Sequence, residues 1–213
     1  MTGAEPAERA EQPRLGQLHE AGPFGHGLLR LVTEPTRIEW RYEAGESEEN
    51  EAGLLRPLTD ELNQWIPSMS RWLESAPDLT RIAFGGVLVQ EVPDKETGYR
   101  LLSSMLPAVR LEPASSDFLY RINRPRPSRV DPKVRINRLT TWSVRFVARF
   151  GIRILGGRAL PPELGPRRHA VRLELDINTP AEYEGPLRKD RLVAWFQELV
   201  EFGKEIAEKG DIP

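Results

Sequence analysis

FLYRINRPRPS (118–128), VRINRLTTWSVRFVARFG (134–151) and HAVRLELDIN (169–178) follow one another along the chain. Each reads as a strand. In the third, Val171, Leu173, Leu175 and Ile177 fall on one face and Arg172, Glu174, Asp176 and Asn178 on the other. That alternation is the mark of a strand with one buried side. Three consecutive strands with short connections imply antiparallel pairing. The loop GGRALPPELGPRR (156–168) joins the last two.

Upstream segments extend the set. LLRLVT (28–33), TRIEWRYEA (36–44) and TRIAFGGVLVQEV (80–92) have strand character. Ile38, Trp40 and Tyr42 interleave with Arg37, Glu39, Arg41 and Glu43, and Glu34-Pro35 marks an edge hairpin or a bulged edge strand. Gly85-Gly86 predicts a bulge or a close backbone approach.

Helices fall between and after these strands. PLTDELNQWIPSMSRWLESA (57–76) has Pro57 in its first turn and a stripe of Leu58, Leu62, Trp65, Ile66, Met69, Trp72 and Leu73. Pro67 must kink or split it. Asp94 caps a short helix that ends near Pro107 and is weakened by Gly98. Pro186 opens the final helix, with Leu192, Trp195, Phe196, Leu199, Phe202 and Ile206 as its stripe and Gly210 as its stop.

The pattern predicts an α+β two-layer sandwich, a mostly antiparallel sheet with helices on one face. Residues 1–23, rich in Ala, Glu, Pro and Gly, read as a disordered N-terminal tail. Residues 24–213 read as a single α+β domain, with GESEENEAG (45–53) as an acidic loop.

Composition removes several chemistries. Apolar residues make up 39% of 213, enough for a core. The absence of cysteine excludes disulfides, thiolate metal sites and cysteine nucleophiles. His19, His26 and His169 are too few for a multi-histidine metal site. No apolar run is long enough for a transmembrane helix, and MTGAEPAERAEQPRLG lacks the apolar core of a signal peptide. The expectation is a cytoplasmic protein with no cofactor, no metal and no membrane partner.

Charge is segregated beneath a net of −2. Residues 1–118 carry a net −9 and residues 173–213 a net −5. Residues 119–172 carry 14 basic side chains, all arginine but Lys133, against Asp131 and Glu163. A planar guanidinium suits carboxylates and phosphates better than an ammonium does. Two plainer accounts stand beside an anion-binding face: codon bias, given 25 arginines and five lysines, and neutralisation by the acidic flanks.

Arg121-Ile122-Asn123-Arg124 recurs as Arg135-Ile136-Asn137-Arg138. Pro125, Pro127 and Pro132 lie between and predict a surface loop that leaves the sheet. Arg121, Arg124, Arg126, Arg129 and Arg138 are the candidate anion- or partner-binding residues, with at least three guanidinium groups expected in the open around a shared anion. The alternative is that acids from residues 1–118 or from the final helix cover them.

Enzyme readings are weaker. Glu174 and Asp176 share a strand face, the arrangement of acid–base pairs and Mg²⁺ sites. Opposite Arg145 and Arg149 they would form a structural charge ladder instead. His169 has no serine at a nucleophile elbow, and no Walker-type phosphate loop is present. Phe118 and Tyr120 beside Arg121 lack the spacing of an RNA-recognition motif.

SRWLESAPDLTRIAFGGVLV (70–89), FLYRINRPRPS with INRLTTW after it, and LELDIN before a long C-terminal helix resemble a sporadically distributed, uncharacterised bacterial protein family. The resemblance runs from about Arg37 to Gly210 and carries no catalytic motif. It implies an accessory role, a module exchanged between strains. The reading is therefore a non-enzymatic interaction protein that binds a partner protein or forms a homo-oligomer. The alternative is a nucleic-acid-binding module using the arginine-rich region 119–172.

Overall fold

The structure, a computed structural model, describes residues 5–43, 57–112, 114–147, 150–151, 154–155, 158–159, 163–164, 168–183 and 186–213. The fold class is α+β, with antiparallel sheets and three helices. The chain divides into two compact units. The first holds the N-terminal strands and most of the first helix, and the second mainly the chain from Leu73 onward. The single domain expected over 24–213 is thus two units.

In the first unit β1 (Glu8–Gln12), β2 (Gln17–Phe24), β3 (Gly27–Glu34) and β4 (Arg37–Glu43) form a sequential antiparallel meander. The disordered tail expected over residues 1–23 is corrected: residues 8–23 form two strands joined by a 3₁₀ turn. The prolines and glycines that suggested disorder sit at turns: Pro13 opens a 3₁₀ turn closed by Gly16, and Gly25 lies in the β2–β3 turn with φ of +56°. Arg9 on β1 reaches Glu20 on β2 at 3.3 Å. Arg37, Glu39 and Arg41 are linked along one face of β4 at 2.7 and 2.8 Å. On the other face Trp40 meets Trp72 of α1 (Pro57–Glu74) edge to face at 6.0 Å. Helix α1 runs unbroken through Pro67. The acidic loop 45–53 and the side chains of Leu58 and Leu62 lie outside the described residues.

The second unit contains β5 (Ala83–Val92), α2 (Lys95–Met105), β6 (Leu119–Asn123), β7 (Arg126–Pro127), β8 (Arg135–Val147), four two-residue strands β9 (Phe150–Gly151), β10 (Ile154–Leu155), β11 (Arg158–Ala159) and β12 (Glu163–Leu164), then β13 (Arg168–Asn178) and α3 (Leu192–Lys209). Its sheet runs β5-β13-β8-β6, all antiparallel, with β7 also on β8. Gly85 and Gly86 pair in unbroken register with Asp176 and Leu175, so the expected bulge is absent.

Cross-strand partners share a face. Phe84 and Ile177 lie on one side with Arg138, and Leu173 lies there with Trp142. Phe84, Leu173, Leu175, Ile177, Trp142 and Ile136 on this side are buried. Leu192, Trp195, Phe196, Leu199, Phe202 and Ile206 of α3 are buried as well, as the periodicity requires. Asp94 caps α2 by accepting from Thr97 N at 2.6 Å.

Both helices approach this face through a glycine. A β carbon on Gly98 would stand 3.0 Å from Val144 Cγ1, and one on Gly203 would stand 2.7 Å from Phe84 Cε1. Gly98 weakens α2 in isolation, yet it lets the helix settle on the sheet. We expect Gly203→Ala to destabilise the protein by about 1–3 kcal/mol through overpacking against Phe84. Each kcal/mol lowers Tm by roughly 2–4 °C for a chain of this size. Gly86→Ala, whose new methyl meets nothing within 4 Å, leaves Tm unchanged or slightly raised. Thermal unfolding followed by circular dichroism checks both.

Candidate functional site

The two Arg-Ile-Asn-Arg copies lie on neighbouring strands. Ile122 faces Thr140 and Asn123 faces Leu139. One step further, Arg124 N donates to Arg138 O at 3.3 Å. Strand alternation then sorts each copy. Its isoleucine and second arginine take the helix side, and its first arginine and asparagine take the opposite face. On that opposite face Asn123 Nδ2 donates to Asn137 Oδ1 (2.9 Å), Asn137 Nδ2 to Asn178 Oδ1 (3.1 Å) and Asn178 Nδ2 to Asp176 Oδ1 (2.7 Å). The repeat is therefore a sheet device, an amide ladder across three strands.

On the helix side the arginines meet acids from the end of the chain. Arg124 donates through Nε and Nη2 to both oxygens of the buried Asp211, at 2.6 and 2.8 Å. Tyr120 OH donates to the same carboxylate at 3.1 Å. Arg126 donates to Glu205 (2.7 Å) and to the main-chain oxygen of Pro213 (2.7 Å). Arg129 donates through its backbone N and Nε to Glu198 (2.7 and 3.3 Å) and through Nη2 to Glu201. The hydroxyl of Ser128 donates to the buried Glu198 at 2.5 Å and accepts from Val130 N and Asp131 N, which fixes the turn before β8.

Arg138 is the most deeply placed, 2% exposed. It lies 3.8 Å from Glu205 and donates from Nη1 to Ile212 O at 3.5 Å. Its Nε and Nη2 have no hydrogen-bond acceptor among the described residues. The Phe202 ring compensates in part: the guanidinium carbons of Arg126, Arg138 and Arg129 stand 5.3, 5.4 and 5.9 Å from its centre. Burial, and then the nearby charge of Arg126, push the Arg138 guanidinium below its ordinary pKa. Hydrogen bonds to Asp211 and Glu201 hold Arg124 and Arg129 above theirs.

This geometry corrects the expected open patch. Arg124, Arg126, Arg129 and Arg138 are held by acids of the same chain. Arg121 alone of the five is exposed with no carboxylate partner among the described residues. The segment also stays on the sheet, since Arg126 and Pro127 pair with Ile136 and Arg135. The outcome is the alternative stated for the patch: acids of the final helix and of the residue after Gly210 cover it, from about seventy to ninety residues away in sequence. The available signal was Glu198, Glu201 and Glu205, spaced three and four apart along one helix face.

The proposed charge ladder is corrected too. Thr141 stands opposite Glu174, Leu139 opposite Asp176 and Ala170 opposite Arg145. Glu174 pairs with Arg172 of its own strand, and Arg149 lies outside the described residues. His169 packs edge-on against Phe146 at 5.9 Å. Among the described residues no three His, Asp or Glu side chains are grouped as metal ligands, and no helix is long and apolar enough to cross a membrane.

One strand edge has a different character. Among the described residues β5 pairs on one side only, with β13. The bond from Thr179 N to Ile82 O sets the alternation, so Ala83, Gly85, Val87 and Val89 turn their N–H and C=O groups outward. From Ala83 to Gln90 there is no charge and no proline, and Val87 is 56% exposed. The edges at β1, β4 and β6 are blunted, as edges in monomers usually are. β1 and β4 carry charges at alternate or adjacent positions, and β6 has five residues with Pro125 just beyond it. Comparison with protein-family models, curated proteins and solved structures gives no match.

The Arg124–Asp211 pair carries a pH dependence. Hydrogen bonds from Arg124 hold Asp211 below the ordinary carboxylate range, against the opposing effect of burial. A carboxylate with a depressed folded pKa stabilises the fold fully above its unfolded value of about 3.9, and that contribution is lost as pH falls through the folded pKa. Asp211→Asn should therefore lower stability at pH 7 by about 3 kcal/mol, as loss of one partner of a buried pair does. Urea titrations from pH 7 downward should show the wild-type advantage intact to about pH 5 and shrinking below about pH 4.

Proposed function

We propose that this protein is a non-enzymatic interaction protein of an accessory bacterial module, and that it binds a partner protein by strand addition to the edge of β5. The observation that carries the reading is the run of outward main-chain groups at Ala83, Gly85, Val87 and Val89, within a stretch from Ala83 to Gln90 that has no charge and no proline. Main-chain hydrogen bonds supply affinity in that mode, and the exposed Val87 side chain gives an apolar contact beside them. The arginine cluster supports the same reading by default, because its guanidinium groups are already engaged by α3 and the residues after it.

A second reading rests on Arg121 and Arg145. Both are exposed and lack a carboxylate partner among the described residues, and strand alternation places both on the face opposite the helices. Nucleic-acid binding there would weaken steeply with salt. A titration against single- and double-stranded RNA and DNA at two salt concentrations separates it from strand addition.

Val87→Pro tests the first reading. Proline removes an outward N–H that β13 does not use, and edge strands tolerate that loss. Tagged wild-type and Val87→Pro proteins expressed in the source cells should differ in one respect: partners recovered with the wild type are lost from the variant, while the melting temperature stays within a few degrees. Equal recovery by both proteins would defeat the reading.

A further inference from the structure

We infer that the β5 edge docks on a second copy of itself, two β5 strands pairing antiparallel about a two-fold axis at Val87. The inference rests on the reading of β5 as a docking edge and adds the identity of the occupant.

The geometry is self-complementary. Antiparallel pairing joins residues whose backbone groups face outward, and in β5 these are the odd-numbered positions. An axis through Val87 pairs Val87 with its own copy, Gly85 with Val89, and Ala83 with Glu91. This register aligns the strand over its full length. It also seats the strand's only charged side chain, Glu91, against Ala83 instead of against its own copy. Glu91 already holds Arg168 at 3.0 Å, so its carboxylate needs no partner from across the axis.

Side chains fit the same register. The exposed large apolar residue of the strand, Val87, lies on the axis. Val89 meets Gly85, which has no side chain to clash with it. Gly86 has open space where a β carbon would stand, so the strand has room at its centre. Closed two-fold pairing uses each edge once and stops at two copies, whereas an unpaired edge of this composition invites open-ended association.

Strand pairing alone buries less than the roughly 1,200–2,000 Å² of a standard stable interface, so the dimer should be of micromolar strength. Sedimentation velocity of the full chain from about 1 to 200 µM should show a concentration-dependent monomer–dimer equilibrium. Val87→Pro should be monomeric throughout, with an unchanged circular dichroism spectrum.

The absence of native cysteine allows a direct test of register. A hydrogen-bonded antiparallel pair holds its α carbons about 5.5 Å apart, within disulfide range. Val87→Cys should cross-link to a covalent dimer under mild oxidation. Val89→Cys, about 15 Å from its own copy at roughly 3.4 Å per residue along the strand and about 5.5 Å across, should cross-link at least about tenfold more slowly. A wild type that stays monomeric to 200 µM overturns the inference. So does a dimer that survives Val87→Pro, or equal cross-linking of the two cysteine variants. A monomeric wild type that still loses its cellular partners on Val87→Pro overturns self-pairing alone. A monomeric wild type with no Val87-dependent partner overturns the docking edge as well.

Discussion

The guanidinium groups of Arg124, Arg126 and Arg138 lie between a sheet and a helix, with that of Arg129 exposed at the rim, and the second unit is arranged to keep them charged. An unpaired buried charge is far more expensive than an exposed one, so each must find a carboxylate, a carbonyl or a ring face. Asp211, Glu205, Glu198 and Glu201 provide the carboxylates, Ile212 and Pro213 the carbonyls, and Phe202 the ring. These acceptors all lie on α3 or in the three residues after Gly210. The helix can therefore sit on the sheet in only one axial position without stranding a charge. Three of the arginines meet acids near its C-terminal end, where the helix dipole also favours positive charge.

Such a network need not add net stability over an apolar core of the same shape. What it does here is fix position. The apolar stripe of α3 would pack about as well after a small axial slide, because dispersion contacts are not directional. The bidentate Arg124–Asp211 pair and the Ser128–Glu198 bond do not tolerate one. Gly203 against Phe84 and Gly98 against Val144 then set how closely each helix approaches.

With one face of the sheet filled by helices and the β6 side closed by proline and the arginine clamp, the unsatisfied backbone groups collect at β5. An edge exposes alternate N–H and C=O groups whatever its sequence. What distinguishes β5 is a run of eight residues, Ala83 to Gln90, without charge or proline, with Glu91 and Pro93 coming only at its end. The first unit shows the contrast. Its edge strand β4 alternates Arg37, Glu39, Arg41 and Glu43, whose ion pairs occupy the solvent face.

Much of the fold was legible in the sequence because it follows from local periodicity. The alternation in HAVRLELDIN, the stripe from Leu192 to Ile206, the Asp94 cap and the Gly210 stop all appear where the residues place them. Prolines and glycines were read less well. Those before Gly27 mark turns of a meander and not disorder, since the same residue types serve both and only long-range pairing tells them apart. The arginines could be counted in the sequence but not their partners, because Glu198, Glu205 and Asp211 come within reach only when α3 crosses the sheet. Whether a strand lies at the centre or the edge is likewise a matter of order within the sheet. TRIAFGGVLVQEV reads the same in either place, and the tertiary fold alone, by putting β13 on one side of it and no other described strand on the other, made it an edge.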